Sequence, residues 1–278
     1  MIYILLPVHN RIEVTRSFIS CLARQTYDNY HLILIDDGSS DGTAEMVAEN
    51  IKNLTIITGQ GSWWWAGCLQ QGFNWLKLRA SDNDIVLIMN DDVTFSHDFL
   101  GKALSLLESY DGMLLPQVYD PKTGETKETG VEADFNKLIF KTASMPDKIN
   151  CLPTRGLFMR MRIIKMVGDF HPRVLPHYLS DYEYTIRAHR MGVHLQTAHD
   201  LLISFDEGTT GFRSFEGLSF KTYLSRIFSI KSAVNPFYWS MFVFLTAPIA
   251  RIPFLAVKVW LRFIKSFLIL TTSKFIVK

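Results

Sequence analysis

The chain has 278 residues, 48% hydrophobic and 20% charged, with a formal net charge of +2 at pH 7. That length suits one large α/β domain or two small ones, and the near-neutral balance excludes an acidic tail or a generally basic surface of the kind that binds nucleic acid. Its three cysteines, Cys21, Cys68 and Cys151, stand far apart without Cys-x-x-Cys or Cys/His spacing, which indicates neither a disulfide framework nor a zinc site and fits a reducing cytoplasm.

The chain opens on Ile2-Tyr3-Ile4-Leu5-Leu6, an apolar run with no basic start or small-residue cleavage site, so it predicts a buried strand and not a secretory leader. Pro7, His9 and Asn10 follow in a loop, and residues 13–24 carry helical apolar spacing at Val14, Phe18, Ile19 and Leu22. The unit then repeats. Leu32-Ile33-Leu34-Ile35 reads as a strand, Asp36-Asp37-Gly38-Ser39-Ser40-Asp41-Gly42 as its loop, and residues 43–50 as the next helix. Residues 54–57 and 85–89 supply two further strands. This alternation predicts a doubly wound, mostly parallel, Rossmann-like sheet with right-handed crossovers, whose ligands bind beyond the carboxyl ends of the strands. His9-Asn10, Asp36-Asp37, Gly59-Gln60-Gly61 and Asn90-Asp91-Asp92 all occupy such ends and should converge on one crevice. Neither a Gly-x-Gly-x-x-Gly fingerprint nor a Walker phosphate loop follows the first strand, which argues against NAD enzymes and P-loop ATPases.

Ile85-Val86-Leu87-Ile88-Met89 runs straight into Asn90-Asp91-Asp92. Carboxylates packed that tightly repel each other unless a cation lies between them, and a hard divalent ion, Mg²⁺ or Mn²⁺, suits such oxygen donors. A plain Asp-rich turn is the alternative.

Pro7-Val8-His9-Asn10, Ile35-Asp36-Asp37-Gly38-Ser39-Ser40-Asp41-Gly42-Thr43 and Met89-Asn90-Asp91-Asp92-Val93 resemble, in order and spacing, the successive signatures of the family 2 glycosyltransferases with the GT-A fold. The resemblance implies a catalytic domain over residues 1–217, with a nucleotide-sugar donor bound by residues 1–118, an acceptor bound by residues 119–217, a divalent metal on the diphosphate, and inversion at the anomeric carbon. It implies that Asp37 hydrogen-bonds the nucleoside and that Pro7 and His9 contact base or ribose; a helix-capping role for Asp36 or Asp37 is the alternative, with Asp41 the better cap candidate. The last position of the family's Asp-x-Asp metal motif falls on Asp92, and its first falls on Asn90, which removes one charge. Asp92 is the first-choice ligand and Asp91 the second, with Asn90 and Asp91 also counted toward the donor.

Gly59-Gln60-Gly61-Ser62-Trp63-Trp64-Trp65-Ala66-Gly67 cannot bury all three indoles, because adjacent side chains point different ways in a strand or a helix. Gly61 and Trp65 are therefore donor-site candidates, and Gln70 stands where relatives carry Asn. Residues 119–147 are turn-rich and read as a loop or hairpin over the acceptor side. Arg155 and Gly156 resemble the family's strand lining the donor sugar, and with Tyr178 they are acceptor-site candidates. Ser180-Asp181-Tyr182-Glu183 resembles the family's Glu-Asp-x-Asp helix start, which puts the general base on Asp181; Glu183 and Arg187 can form a helical ion pair. No histidine stands in residues 204–211, where many relatives place one, so His199, Asp206 or neither meets the diphosphate.

After Gly217 the composition changes. Pro236, Pro248 and Pro253 interrupt the apolar run at 237–247, while Arg251, Lys258, Arg262 and Lys265 fall on one helical face. Residues 218–278 are expected to form a helical, amphipathic tail lying on an anionic membrane surface, with docking on the catalytic domain or a homodimer partner, and a membrane-crossing hairpin, as alternatives. The composite expectation is a metal-assisted inverting glycosyltransferase, peripheral on the cytoplasmic face of the inner membrane, acting on a lipid-linked or polysaccharide acceptor in bacterial surface-glycan synthesis. The rivals are a sugar-phosphate nucleotidyltransferase and a non-catalytic carbohydrate-binding scaffold.

Overall fold

The computed structural model describes residues 1–205 and 219–276. Strand β1 (Ile2–Val8) is apolar on both faces, as a central parallel strand must be, and it pairs in parallel with β2 (Tyr30–Asp36) on one side and β4 (Ile85–Ile88) on the other. The crossover helices α1 (Ile12–Ala23) and α2 (Thr43–Asn50) carry the chain outward to β3 (Leu54–Thr58), and α3 (Trp64–Lys77) brings it back across β1 to β4. The order β3-β2-β1-β4 therefore reverses between β1 and β4, and the crevice beyond the carboxyl ends of these two strands is the topological switch point.

The sheet continues through β10 (Leu157–Arg160), antiparallel to β4, then β6 (Gly112–Asp120), β11 (His194–Phe205) and β5 (Val93–Phe95), with β7 (Glu125–Lys127) folding back on β6. The apolar alternation along the strands feeds two cores. One lies under α3, α5 (Met161–Val167) and α6 (Ser180–Arg190), with Phe73 and Tyr184 fully buried; the other lies under α1, α2 and α4 (Phe99–Ser109), with Phe18 and Phe99 fully buried. The turn-rich stretch after β7 is a hairpin of β8 (Val131–Asp134) and β9 (Ile139–Thr142) outside the main sheet.

Beyond α7 (Phe220–Ile227), the prolines mark boundaries. Pro236 opens α8 (Pro236–Thr246), where the Asn235 side chain accepts the Phe237 N–H at 2.9 Å, and Pro253 lies in the first turn of α9 (Ile252–Ile276), where its missing N–H costs nothing. Both helices dock on the β8–β9 hairpin: Phe242, Val243 and Leu255 are fully buried, and the Phe140 ring meets Trp239, Phe242 and Tyr182. The basic face expected to meet lipid is corrected in part. Lys258 Nζ donates to the Lys137 carbonyl at 2.7 Å, and the Arg262 guanidinium donates to the carbonyls of Lys137 and Leu138 at 3.0 Å each, so these two cations pin α9 to the hairpin turn. Among the described residues no helix is long and apolar enough to cross a membrane.

Candidate active site

The first loop is stitched to the second. His9 Nδ1 lies 2.7 Å from the Asp37 carbonyl, which can only accept, so the proton is on Nδ1 and Nε2 is left to accept from the Asn10 amide at 3.2 Å. Asn10 adopts φ +50° and accepts the Ser40 N–H at 2.8 Å, while Asp41 accepts from Ile12 N–H and Thr43 N–H at the starts of α1 and α2. At the starts of α1 and α2 it is Asp41, and not Asp36 or Asp37, that accepts these amides; Asp36 closes its own turn by accepting the Ser39 N–H at 2.9 Å.

Asp37 is 5% exposed, and its two carboxylate oxygens accept the backbone N–H groups of Gly61, Ser62, Trp63 and Trp64 at 2.8–3.2 Å. An anion at a helix start satisfies amides that have no intrahelical partner, and here it fixes the entry to α3. With its acceptor directions taken by main chain, Asp37 shapes the cavity wall through the 61–64 loop. Gly38 makes this possible: φ is +76°, and a Cβ there would lie 2.9 Å from Gly61 N. Of the three tryptophans, Trp63 packs toward Gly67, Trp64 is held at φ +56°, and both Trp64 and Trp65 line a cavity of about 360 Å³ with Pro7, His9, Asp37 and Gly61. A bulky side chain in the left-handed region stores strain of roughly 1–3 kcal/mol, and the Asp37 hydrogen bond to Trp64 N–H helps hold it.

The strand-end acids lie at the switch point. Asp91 is 5% exposed, accepts the Thr15 hydroxyl at 3.0 Å and pairs with Arg11 Nε at 3.2 Å; burial pushes its carboxyl up to about 6, against the pull of Arg11 and Thr15. Asp92 has a side chain 2% exposed between two guanidiniums, Arg11 Nη2 at 3.8 Å and Arg155 Nη2 at 3.6 Å. Arg155 in turn stacks 3.9 Å above the Phe205 ring and lines the same cavity wall as Asp181. Among the described residues no three His, Cys, Asp or Glu side chains are grouped to cage an ion. Two hard carboxylates at one rim still fit a Mg²⁺ or Mn²⁺ whose remaining ligands are diphosphate oxygens and water, the usual way such a small ion is held beside a nucleotide.

A second cavity of about 460 Å³ adjoins the first and shares Trp65, Asn90, His177 and Tyr178 with it; Arg155 and Asp181 line its wall, and Gly130, Val131 and Thr142 of the hairpin region close it. Asp181 is at the N-terminus of α6 and accepts Tyr182 N–H at 2.9 Å. Burial pushes its carboxyl up to about 6, while Tyr182 N–H and Arg155 pull it down. The turn before it has Leu179 at φ +68° and the Ser180 hydroxyl donating to the His177 carbonyl at 2.6 Å.

The expected helical ion pair forms: Glu183 is 2% exposed in a two-point contact with Arg187, whose other donors reach the Val167 and Asp169 carbonyls, so it braces α6. Gly156 adopts φ +89° with Pro116 where a Cβ would go, which fixes the turn into β10, and it is not among the residues lining the two cavities. Gln70 clamps Asp169 and the Phe170 N–H. His199 pairs with Gln117 at 3.1 Å and lines neither cavity, and Asp206 lies outside the described residues. Four residues of the site were not foreseen. Arg11 and Thr15 follow the first loop, but their spacing does not announce an ion pair with Asp91. His177, neutral because burial and then Lys231 push it down to about 4, has its ring edge on Trp64. Lys231 lies 5.8 Å over the Trp64 ring and comes from a segment distant in sequence.

Residues 3–166 match the sequence model of glycosyl transferase family 2. The chain belongs to that family. Among its relatives, glycosyltransferase AglE from Haloferax volcanii is 24% identical over 212 residues, a stretch covering 72% of this chain and 64% of AglE, so the chain spans less than two thirds of that relative's length. The GT-A architecture of family 2 is shared with solved structures. TarS 1-349 from S. aureus in complex with UDP-GlcNAc superposes with a TM-score of 0.58 at 14% identity, covering 88% of this chain and 71% of that fragment. The mannosyltransferase PcManGT from Pyrobaculum calidifontis, solved with GDP-Man and Mn²⁺, superposes with a TM-score of 0.58 at 17% identity, covering 98% and 83%.

Proposed function

We propose that the chain transfers one sugar from a nucleotide-sugar donor to a hydroxyl of a lipid-linked or polysaccharide acceptor during surface-glycan synthesis, with inversion at the anomeric carbon. The observation that carries this reading is that Arg155, paired with Asp92 at the strand end, lines one cavity with Asp181 of the helix start, and that this cavity adjoins the one lined by Asp37 and Asp91. A donor with its nucleoside in the smaller cavity, between Pro7, His9 and Trp64, would have its diphosphate at Asn90, Asp91 and Asp92 and its sugar against Trp65. The bound nucleotide-sugars of TarS and PcManGT, in the same architecture, support that placement.

Asp92, with Asp91, would hold a Mg²⁺ or Mn²⁺, which when bound offsets charge on the leaving diphosphate. Arg11 pairs with both carboxylates and Arg155 with Asp92, which holds the two acids in place at the strand end. Asp181 accepts the proton of the acceptor hydroxyl as its oxygen bonds to the anomeric carbon and the bond from that carbon to the diphosphate breaks. A carboxyl with a pKa of about 6 suits that role, being ionised at neutral pH yet more basic than an exposed aspartate.

Screening UDP-, GDP- and dTDP-sugars by thermal shift identifies the donor, because a ligand that binds only the folded state raises its stability. With that donor, Asp181→Asn should lower transfer by about 10²–10⁴-fold and leave the donor-induced shift intact. Transfer that survives the substitution would remove Asp181 as base. A wild-type chain that binds donors but turns none over, with Mn²⁺ supplied, would favour the scaffold reading.

A further inference from the structure

The apolar residues of the C-terminal helices are divided between two opposed surfaces. Leu255 and Val259 of α9, with Val243 of α8, are packed against Leu138 and Phe140 of the β8–β9 hairpin. Phe254, Val257, Leu261 and Ile264, at steps of three, four and three, form a second stripe along α9 and are 61%, 59%, 58% and 46% exposed. Ile249 at 86% and Phe244 at 66% extend the exposed set across the α8–α9 junction. Single exposed apolar residues are ordinary, but a row of this length on one face marks an interaction surface.

Charge identifies the partner. From residue 217 to the C-terminus the sequence has nine Lys or Arg and no Asp or Glu, which leaves residues 1–216 with a net charge of −7. A second copy docked stripe to stripe would bring these like charges together, at a cost of repulsion. An anionic lipid surface attracts them, and it repels the acidic body behind them. The hydrogen bonds from Lys258 and Arg262 to the hairpin fix the rotation of α9 so that its apolar stripe points outward, while Arg251 and Lys265 stay exposed beside it, where their stems can reach headgroups.

We propose that this face docks the protein peripherally on an anionic bilayer surface, the cytoplasmic leaflet in the cell, with α9 lying in the headgroup plane and its apolar stripe, more than its basic face, entering the lipid. No helix among the described residues is long and apolar enough to cross, which fits a helix lying flat. The proposal stands apart from the transfer chemistry, because it is read without donor or turnover.

The test is flotation of the purified full chain with vesicles of phosphatidylcholine alone or mixed with phosphatidylglycerol. The chain should float with the mixed vesicles, more weakly at high salt, and poorly with the neutral ones. Leu261→Glu combined with Ile264→Glu, at solvent-facing positions that should leave the melting temperature unchanged, should raise the lipid concentration for half-maximal flotation at least tenfold. In wild type, brominated lipid should quench tryptophan fluorescence, and Trp260→Phe should remove most of that quenching, since Trp260 is 40% exposed next to the stripe. A chain that ignores anionic vesicles overturns the proposal. So does a stable dimer by light scattering that the double Glu variant splits.

Discussion

At the scale of single residues, burial sets the protonation of the acids that the chemistry needs. Asp181 takes up its proton near pH 6 when folded, against about 3.9 for a free aspartate, so the folded chain holds more protons than the unfolded chain between these values. Its contribution to stability is therefore full below about pH 4 and lost as pH rises through about 6. With Asp181 as the proposed base, activity has the opposite dependence, because that carboxyl must be ionised. Transfer measured by kcat/KM should be flat above neutrality and fall about tenfold per pH unit below about 6, more steeply if Asp91, raised for the same reason, protonates alongside. Asp181→Asn removes a buried charge while its amide oxygen can still accept Tyr182 N–H. It should raise stability at pH 7.5 by roughly 1–3 kcal/mol, at about 1.4 kcal/mol per pKa unit, and leave it nearly unchanged at pH 4. Urea melts of both chains at the two pH values check this; a variant destabilised at pH 7.5 would show that the carboxylate is structural.

At the scale of elements, the resemblance located Asp37 but not its bonding. A sequence shows that an acid follows a buried strand; it does not show that four amides 24–27 residues later close on that acid. Asp37→Asn keeps one accepting oxygen and turns the other into a donor facing amides. It should destabilise the chain by on the order of 2–3 kcal/mol and weaken every nucleotide-sugar alike, because the loop and not one base contact is disturbed. A stable variant with altered base preference would restore the direct nucleoside contact. The parallel strands and their loops were legible because apolar runs closed by Gly, Asp and Asn are local signals. The antiparallel insertion of β10 between β4 and β6 was not, since pairing across tens of residues leaves no local period. The tail shows the same limit. Of the four cations expected on one helical face, Arg251 precedes α9 and only Lys258, Arg262 and Lys265 lie within it, and periodicity does not say that Lys258 and Arg262 meet backbone carbonyls.

At the scale of the molecule, the segment between α7 and α8 is also part of the wall of the smaller cavity, the proposed donor site. The α7–α8 connection is fixed, with Ser232 and Asn235 buried and Asn235 capping α8, and it places Lys231 among His9, Arg11, Trp64 and His177. A cation there, 5.8 Å from the Trp64 ring, adds to the burial that keeps His177 neutral and would face a nucleoside diphosphate bound in this cavity. Charge at the mouth of such a cavity acts on the free energy of binding the anionic donor, which is present in the ground state and the transition state alike. Lys231→Ala should therefore raise the donor KM about three- to tenfold, the equivalent of roughly 0.7–1.4 kcal/mol, with kcat unchanged and the effect shrinking as salt rises. Lys231→Arg, which keeps the charge, should restore most of the affinity. A loss confined to kcat, or an Arg variant no better than Ala, would mean that the connection acts through the packing of Trp64 and not through its charge.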